Sequence, residues 1–359
     1  MTKPLLTASV QNKLTVLLTH RCNQSCEFCF DACNIMSFSK NKDMSIETMK
    51  RIVTVLRRSI PEDIPFNITF SGGEPTMHPD FLKMVEIVSD AGFQLTILSN
   101  GQQFSDIKFM KKVKEFNIWN FQFSIEGASS KIHDSRVGCR GAFSRTVNAI
   151  ENAQNLNVRF ITNTTMTKNL ESEMYSIIDY LDELGVPKMN IGNTLPECTG
   201  CNWFNMMQYP YVVDIAEKLT LYALTKRISF SFITPLPLCL KDKRVISNPS
   251  VCSAGRVSIV VDCDGSLRPC SVCTTASDGK LRIQEVSDLE EIYHRMDSLV
   301  AYYVKDSIPE ECKNCDHLSV CRAACPLYWK AKGVSRPTKW FKNKHDLHQR
   351  QKEMSVSGN

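Results

Sequence analysis

The chain has no run of about 18 apolar residues, the length that a membrane-crossing helix needs, so no span is indicated. Its opening, Met-Thr-Lys-Pro-Leu-Leu-Thr-Ala-Ser, lacks an apolar stretch long enough for a secretory signal. The cytoplasm is therefore the expected compartment. Net charge is only +5 over 359 residues, too mild to argue for nucleic acid as a partner. No internal repeat or low-complexity segment stands out. The apolar fraction is ordinary for a soluble protein, and the length suits one large domain with a smaller one.

Cysteine is what the chain has in excess, with 16 residues. Disulfides are disfavoured in a reducing compartment, so clustered cysteines point to metal or redox chemistry. Four lie in residues 22–33 and eleven in residues 198–325. Only Cys139 stands apart, and it reads as an ordinary buried or partly buried thiol.

The first half alternates strand and helix. Lys13–Thr19, Phe66–Ser71, Leu95–Ser99, Trp119–Ile125, Val158–Asn163 and Lys188–Asn193 read as six strands. Ser45 is a plausible N-cap for a helix carrying Ile46, Met49, Ile52, Val53 and Leu56 on one face. Pro79 fits the first turn of a second helix that Gly92 ends. Further helices are expected from about Ala142 to Ala153 and across Met174–Leu184. Regular alternation implies a parallel sheet covered by helices, an open or partial barrel whose ligands bind at the C-terminal ends of the strands. The alternation fades after about residue 225, and the boundary is expected near residue 235. Val257–Asp262, Asp264-Gly265 and Ser266–Pro269 look like a hairpin or tight turn. The tail from Lys330 is basic, with Trp340 and Phe341 interleaved, and reads as a solvated helix or frayed end.

Cys22, Cys26 and Cys29 follow the first strand with the spacing C-x3-C-x2-C. Three thiolates can hold three corners of a cubane iron–sulfur cluster and leave the fourth iron open. The spacing alone does not choose the metal, because Cys33 could close a four-thiolate zinc site. Ser71-Gly72-Gly73-Glu74-Pro75 closes the second strand. Its paired glycines let backbone approach a ligand closely, and Glu74 can accept hydrogen bonds from an ammonium.

With Phe28 before Cys29, the chain resembles the radical S-adenosylmethionine superfamily, whose motif is C-x3-C-x-aromatic-C. The resemblance implies a partial (β/α)6 TIM-like barrel of the α/β class over residues 1–235. It also implies a [4Fe–4S] cluster whose open iron chelates S-adenosylmethionine, and reductive cleavage to a 5′-deoxyadenosyl radical. Gly72, Gly73 and Glu74 then hold the methionine amino group. Ser124, in Ser124-Ile125-Glu126-Gly127, bonds the cofactor, although Glu126 replaces the shorter aspartate of the family. Arg145 is the first choice and Arg136 the second for the cofactor carboxylate, where a planar fork suits two oxygens. Asn163 is the candidate for the ribose.

The later cysteines read Cys252, Gly265-x4-Cys270, then Cys312-x2-Cys315-x5-Cys321-x3-Cys325. This resembles the SPASM extension, which carries two auxiliary [4Fe–4S] clusters, and assigns residues 236–359 to it. By family interleaving, Cys252, Cys270 and Cys325 serve the first auxiliary cluster, with Cys239 as fourth ligand, and Cys312, Cys315 and Cys321 serve the second. A zinc ribbon is the competing reading of Cys312–Cys325. The family's further cysteine beyond Cys325 is missing here. Asp346, His345 or His348 could fill that corner, as could Cys263 or Cys273 after rearrangement, or it stays open. Ser271 stands where sulfatase-maturing relatives have aspartate, which disfavours formylglycine formation. The Cys198-x2-Cys201 pair lies where substrate is expected, and its role is open.

The resemblance implies hydrogen abstraction from an unactivated C–H bond, with an electron donor such as flavodoxin or ferredoxin. One reading is a peptide maturase that crosslinks, oxidises or epimerises. Another is a dehydrogenase or epimerase of a small molecule such as a sugar or aminoglycoside. The short stretch before the first strand leaves no room for an N-terminal peptide-recognition domain, which weakens the peptide reading. A non-catalytic iron–sulfur or zinc scaffold is the reading from another class.

Overall fold

A computed structural model describes residues 13–36, 42–168, 170–194, 207–241, 250–255, 258–273, 281–305 and 307–332. Seven parallel strands build the first part: β1 (Lys13–Thr19), β2 (Asn67–Gly72), β3 (Gln94–Ser99), β4 (Ile118–Ser124), β5 (Phe160–Met166), β6 (Lys188–Asn193) and β7 (Ser229–Phe232). Each pairs in parallel with the next. The helices between them are α1 (Ala32–Met36), α2 (Ile46–Ser59), α3 (Phe81–Asp90), α4 (Ile107–Lys114), α5 (Ser130–Val137), α6 (Ala142–Asn155), α7 (Glu171–Glu183) and α8 (Tyr209–Ala223).

The expected partial barrel is present and open, with a seventh strand added. The sheet runs β7-β6-β5-β4-β3-β2-β1 and continues into β8 (Ser258–Val261) and β9 (Leu267–Arg268). β8 lies parallel to β1, while β9 returns antiparallel to β8 through a turn at Gly265, whose φ is +84°. That is the expected hairpin, docked as an extension of the barrel sheet. Beyond it come α9 (Leu289–Lys305), α10 (Glu310–Lys313), α11 (Leu318–Cys321) and α12 (Pro326–Lys332). Arg51 of α2 reaches the segment before α9, donating to the carbonyls of Ile283 and Val286.

Local sequence explains the elements. Ser45 is extended and accepts from Thr48 N at 3.1 Å, capping α2, whose buried side carries Met49, Ile52, Val55 and Leu56. The second helix differs from expectation. α3 begins at Phe81 after the Asp80 cap, and Pro79 lies outside it, while Pro75 opens a short 3-10 turn. A proline can open either kind of turn, because only its φ is fixed.

Strand alternation divides the sheet into two faces. Phe121 and Phe123 pack on Phe104, just before α4, and form the covered face. The other face carries Thr69, Thr96, Gln122, Ser124, Asn163 and Thr165, all half-buried and polar. This concave polar face is where the strand ends deliver the site.

Candidate active site and thiol clusters

Cys22, Cys26 and Cys29 are half-buried thiols, none in a disulfide, in the loop that leaves β1. Two neighbours clamp that loop. On one side Gly73 N donates to Thr19 O at 2.7 Å, and Glu74 N to Arg21 O at 2.8 Å. A Cβ at Gly72 would meet Thr19 O at 2.3 Å, and one at Gly73 would meet Arg21 O at the same distance. The paired glycines therefore admit the cysteine loop itself. On the other side Ser25 N and Glu27 N donate to the carbonyls of Val137 and Arg136, at the end of α5.

Burial pushes the Cys22 thiol up to about 11 and Cys26 higher still. A bare thiolate is disfavoured there, so these sulfurs become ligands only with a cation that neutralises them. Cys33 falls in α1, and its side chain lies outside the described residues.

Glu74 is only 1 % exposed. Its Oε1 accepts from Thr76 N, Thr76 Oγ1 and Ser99 Oγ, and its Oε2 from Asn100 N at 2.8 Å. Burial raises its pKa against these donors. The carboxylate thus ties the ends of β2 and β3 together beside the cysteine loop.

The two arginines differ. Arg136 is buried, and its guanidinium lies 4.9 Å from the Phe28 ring centre. It donates to Glu27 Oε1, Glu126 O and Thr165 O, and lies 3.6 Å from Glu126 Oε2. Arg136 therefore holds the cysteine loop against the ends of β4 and β5. Glu126 accepts from Thr165 N at 2.9 Å, and burial, partly offset by Arg136, raises its pKa to about 8. Arg145, half-buried at the start of α6, donates to Gln102 Oε1 at 2.8 Å and to Cys139 Sγ at 3.4 Å. Its Nη1 makes no hydrogen bond among the described residues.

Ser124 and Asn163 are register partners on β4 and β5, so their side chains share the polar face. Asn163 Oδ1 is buried without a partner among the described residues, the signature of an acceptor awaiting a donor. One layer down, Asn190 Nδ2 donates to Gln122 Oε1 at 3.2 Å on the same face. Neither was singled out from the sequence, although the polar alternation Asn120, Gln122, Ser124 carries that signal.

The C-terminal thiols divide differently from the family interleaving. Cys239 lies against Cys321 and Cys315, and Cys312 faces all three. These four line a cavity of about 40 Å³. Cys252, Cys270 and Cys325 form the other set. Cys239 is thus not placed with Cys252, as expected, but completes the set that lacked a fourth thiol. Burial pushes Cys239 and Cys312 up to about 12, and raises Cys252 and Cys325 too. Cys263 sits beside His20 and Asp262, while Cys273 shares a turn with Cys270. Cys198, Cys201, His345, Asp346 and His348 lie outside the described residues.

Tetrahedral zinc on thiolates at 2.3 Å puts its sulfurs about 3.8 Å apart. Among the described residues only His20, Asp262 and Cys263 bring three ligand atoms within 4.8 Å of one another. No three thiols among the described residues come so close.

Residues 16–189 match the family model of the Radical SAM superfamily. The chain is 22% identical over 325 residues to an AdoMet-dependent heme synthase of Methanosarcina barkeri, covering 86% of this chain and 89% of that protein. It is 19% identical over 331 residues to a PqqA peptide cyclase of Ruegeria pomeroyi, covering 90% and 84%. The solved structure of Streptococcus suis SuiB bound to precursor peptide SuiA superposes with a TM-score of 0.72 at 16% identity, covering 89% of this chain and 72% of that one. The last likeness supports the fold alone.

Proposed function

We propose that this chain, whose residues 16–189 match the Radical SAM superfamily model, is a radical SAM enzyme that takes a hydrogen atom from a C–H bond of a peptide. The observation that carries the reading is the loop of Cys22, Cys26 and Cys29, clamped by Gly73 and α5 at the edge of a polar sheet face. When bound there, a [4Fe–4S] cluster and S-adenosylmethionine supply one-electron cleavage of the sulfonium to a 5′-deoxyadenosyl radical.

The chain's own residues do the rest. Cys22, Cys26 and Cys29 would hold the cluster, and the backbone of Gly72 and Gly73, packed against the cysteine loop, would lie beside it. Arg145, whose Nη1 makes no hydrogen bond among the described residues, takes the cofactor carboxylate, whereas Arg136 is occupied in fixing Phe28 and the loop. Ser124 and the unpartnered Asn163 Oδ1 bond the cofactor hydroxyls. Glu74 acts by holding the strand ends rather than by direct contact. The half-buried polar face keeps a substrate in register with the reacting carbon.

Residues 236–359 serve as a SPASM-type domain. In it Cys239, Cys312, Cys315 and Cys321 hold one auxiliary [4Fe–4S] cluster, and Cys252, Cys270 and Cys325 hold three corners of another. Flavodoxin or ferredoxin supplies electrons in the cytoplasm. The peptide cyclase relative favours a peptide. The heme synthase relative, matched over as much of its length, keeps a small molecule as the second reading.

The test is anaerobic reconstitution with S-adenosylmethionine and reductant. It should give 5′-deoxyadenosine, and iron near twelve per chain at roughly four per cluster. No 5′-deoxyadenosine sinks the enzyme reading, and iron near four removes the auxiliary clusters. Deuterium passing from a labelled peptide into 5′-deoxyadenosine separates peptide from small molecule.

A further inference from the structure

Outside the three thiol sets lies a buried group that none of the above uses. His20 directly follows β1, and Asp262 and Cys263 directly follow β8, the strand beside β1. His20 Nε2, an Asp262 oxygen and Cys263 Sγ all lie within 4.8 Å of one another, and the three residues are 8, 4 and 5 % exposed. His20 Nε2 is 3.1 Å from Asp262 Oδ1. Nitrogen and oxygen ligands at 2.0–2.1 Å on tetrahedral zinc stand about 3.3 Å apart, so the site needs little adjustment.

Each donor is also held from behind. Asp31 Oδ2 sits 2.6 Å from His20 Nδ1, which orients Nε2 toward the other two donors. Arg268 pairs with Asp262 Oδ2, leaving Oδ1 turned to His20, and Cys263 N donates to that same Oδ1. A metal-bound histidine characteristically has a carboxylate behind it, and its ligating carboxylate is characteristically hydrogen-bonded.

We propose that His20, Asp262 and Cys263 form a mononuclear site for a zinc-type divalent cation, with Asp31 as the carboxylate behind the histidine. The donor set of one nitrogen, one oxygen and one thiolate suits zinc, and the fourth position goes to water. Binding releases the proton on Nε2 and the thiol proton of Cys263. The ion joins the cysteine loop, two residues from Cys22, to the C-terminal hairpin. It thereby fixes one half of the molecule against the other at the edge of the active site. The proposal does not rest on the reaction proposed above.

The experiment loads the reconstituted enzyme with zinc sulfate and reads zinc and iron per chain, with X-ray absorption at the zinc edge. One zinc per chain is expected, with a single sulfur near 2.3 Å and the remaining ligands nitrogen or oxygen near 2.0–2.2 Å. Cys263→Ser should lose that sulfur shell at unchanged iron content. Asp31→Asn, which keeps all three ligands, should weaken zinc binding about 10–100-fold. Three results would overturn the site. They are zinc below about a tenth of an equivalent, an all-sulfur shell that puts zinc in the thiol sets, and a Cys263→Ser protein that keeps the wild-type spectrum. Each is read without S-adenosylmethionine cleavage, so failure here and failure of the enzyme reading stay distinct.

Discussion

Replacing Gly73 by alanine should empty the first cluster site while leaving the rest of the chain folded. The added Cβ would lie 2.3 Å from Arg21 O, 2.8 Å from Arg21 C and 3.2 Å from Cys22 Cβ. Carbon and oxygen ordinarily approach to about 3.3–3.6 Å, so the Arg21–Cys22 backbone must retreat by roughly 1 Å. That retreat breaks the bond from Glu74 N to Arg21 O. One unmade backbone bond costs about 1–3 kcal/mol. The cost is within the roughly 5–15 kcal/mol stability of a folded protein, so the variant should fold with a lower melting temperature. Metal–ligand distances tolerate only about 0.2 Å, so the displaced Cys22 can no longer share a cluster with Cys26 and Cys29. Iron should fall from near twelve to near eight per chain, at about four per cluster. Formation of 5′-deoxyadenosine should fall at least about 100-fold, as for a 1 Å misplacement in an active site. The control is Gly192→Ala, whose Cβ would meet nothing closer than 3.7 Å. It should keep iron and melting temperature. Wild-type iron in the Gly73→Ala protein would refute the reasoning, because the clash has no flexible side chain to absorb it.

Cys239→Ser should perturb the cluster of Cys312, Cys315 and Cys321, and Cys252→Ser the other one, so the double variant should change two distinct resonances in electron paramagnetic spectra. A single shared resonance would return Cys239 to the Cys252 set. His133 is fully buried, and its Nδ1 accepts from Glu126 N at 3.0 Å. Burial lowers its pKa to about 4 from 6.5, so its neutral form is the folded one. Stability should drop by about 3 kcal/mol as pH falls from 6.5 to 4, and urea titrations should show a flatter profile for His133→Gln. Arg136→Lys loses the fork onto Glu126 O and Thr165 O and should cost about 2–4 kcal/mol, read as a lower melting temperature at unchanged fold by circular dichroism.

Much of the barrel was legible because its strands alternate against a greasy helix layer. Leu95, Ile97 and Ser99 of β3 are buried while Gln94, Thr96 and Leu98 are half-buried, a period of two that reads directly. What escaped has a physical reason in each case. β7 is four residues, Ser-Phe-Ser-Phe, too short to establish a period. α5 buries His133 and Arg136 along with Val137, so a helix whose inward face is partly charged gives no apolar stripe to find. The paired glycines were legible as a place of close approach. Their nearest partner, the backbone of Thr19 and Arg21, was not, because a glycine reports available space and not what enters it.

The partition of the later thiols shows the same limit at larger scale. Spacing along the chain identifies cysteines as ligands but cannot say which share a site, since ligands of one cluster come from segments far apart. Cys239 precedes Cys252 by thirteen residues, and order alone suggests they serve together. In space the Pro237–Leu240 turn lies against α11, where Leu238 N donates to Cys321 Sγ at 3.5 Å. That bond fixes Cys239 beside Cys321 and completes a four-thiol set without any cysteine beyond Cys325. On the proposed reading, the set left with three thiols is that of Cys252, Cys270 and Cys325. There Cys325 N donates to Tyr209 Oη at 2.9 Å, and Arg322 donates to Ala254 O. A cluster held by Cys252, Cys270 and Cys325 alone would leave one position to another ligand. A cluster held by Cys239, Cys312, Cys315 and Cys321 would have four thiol ligands. Electron relay suits the four-thiol site, and ligand exchange suits the three-thiol one, because ligand number sets what an iron can bind.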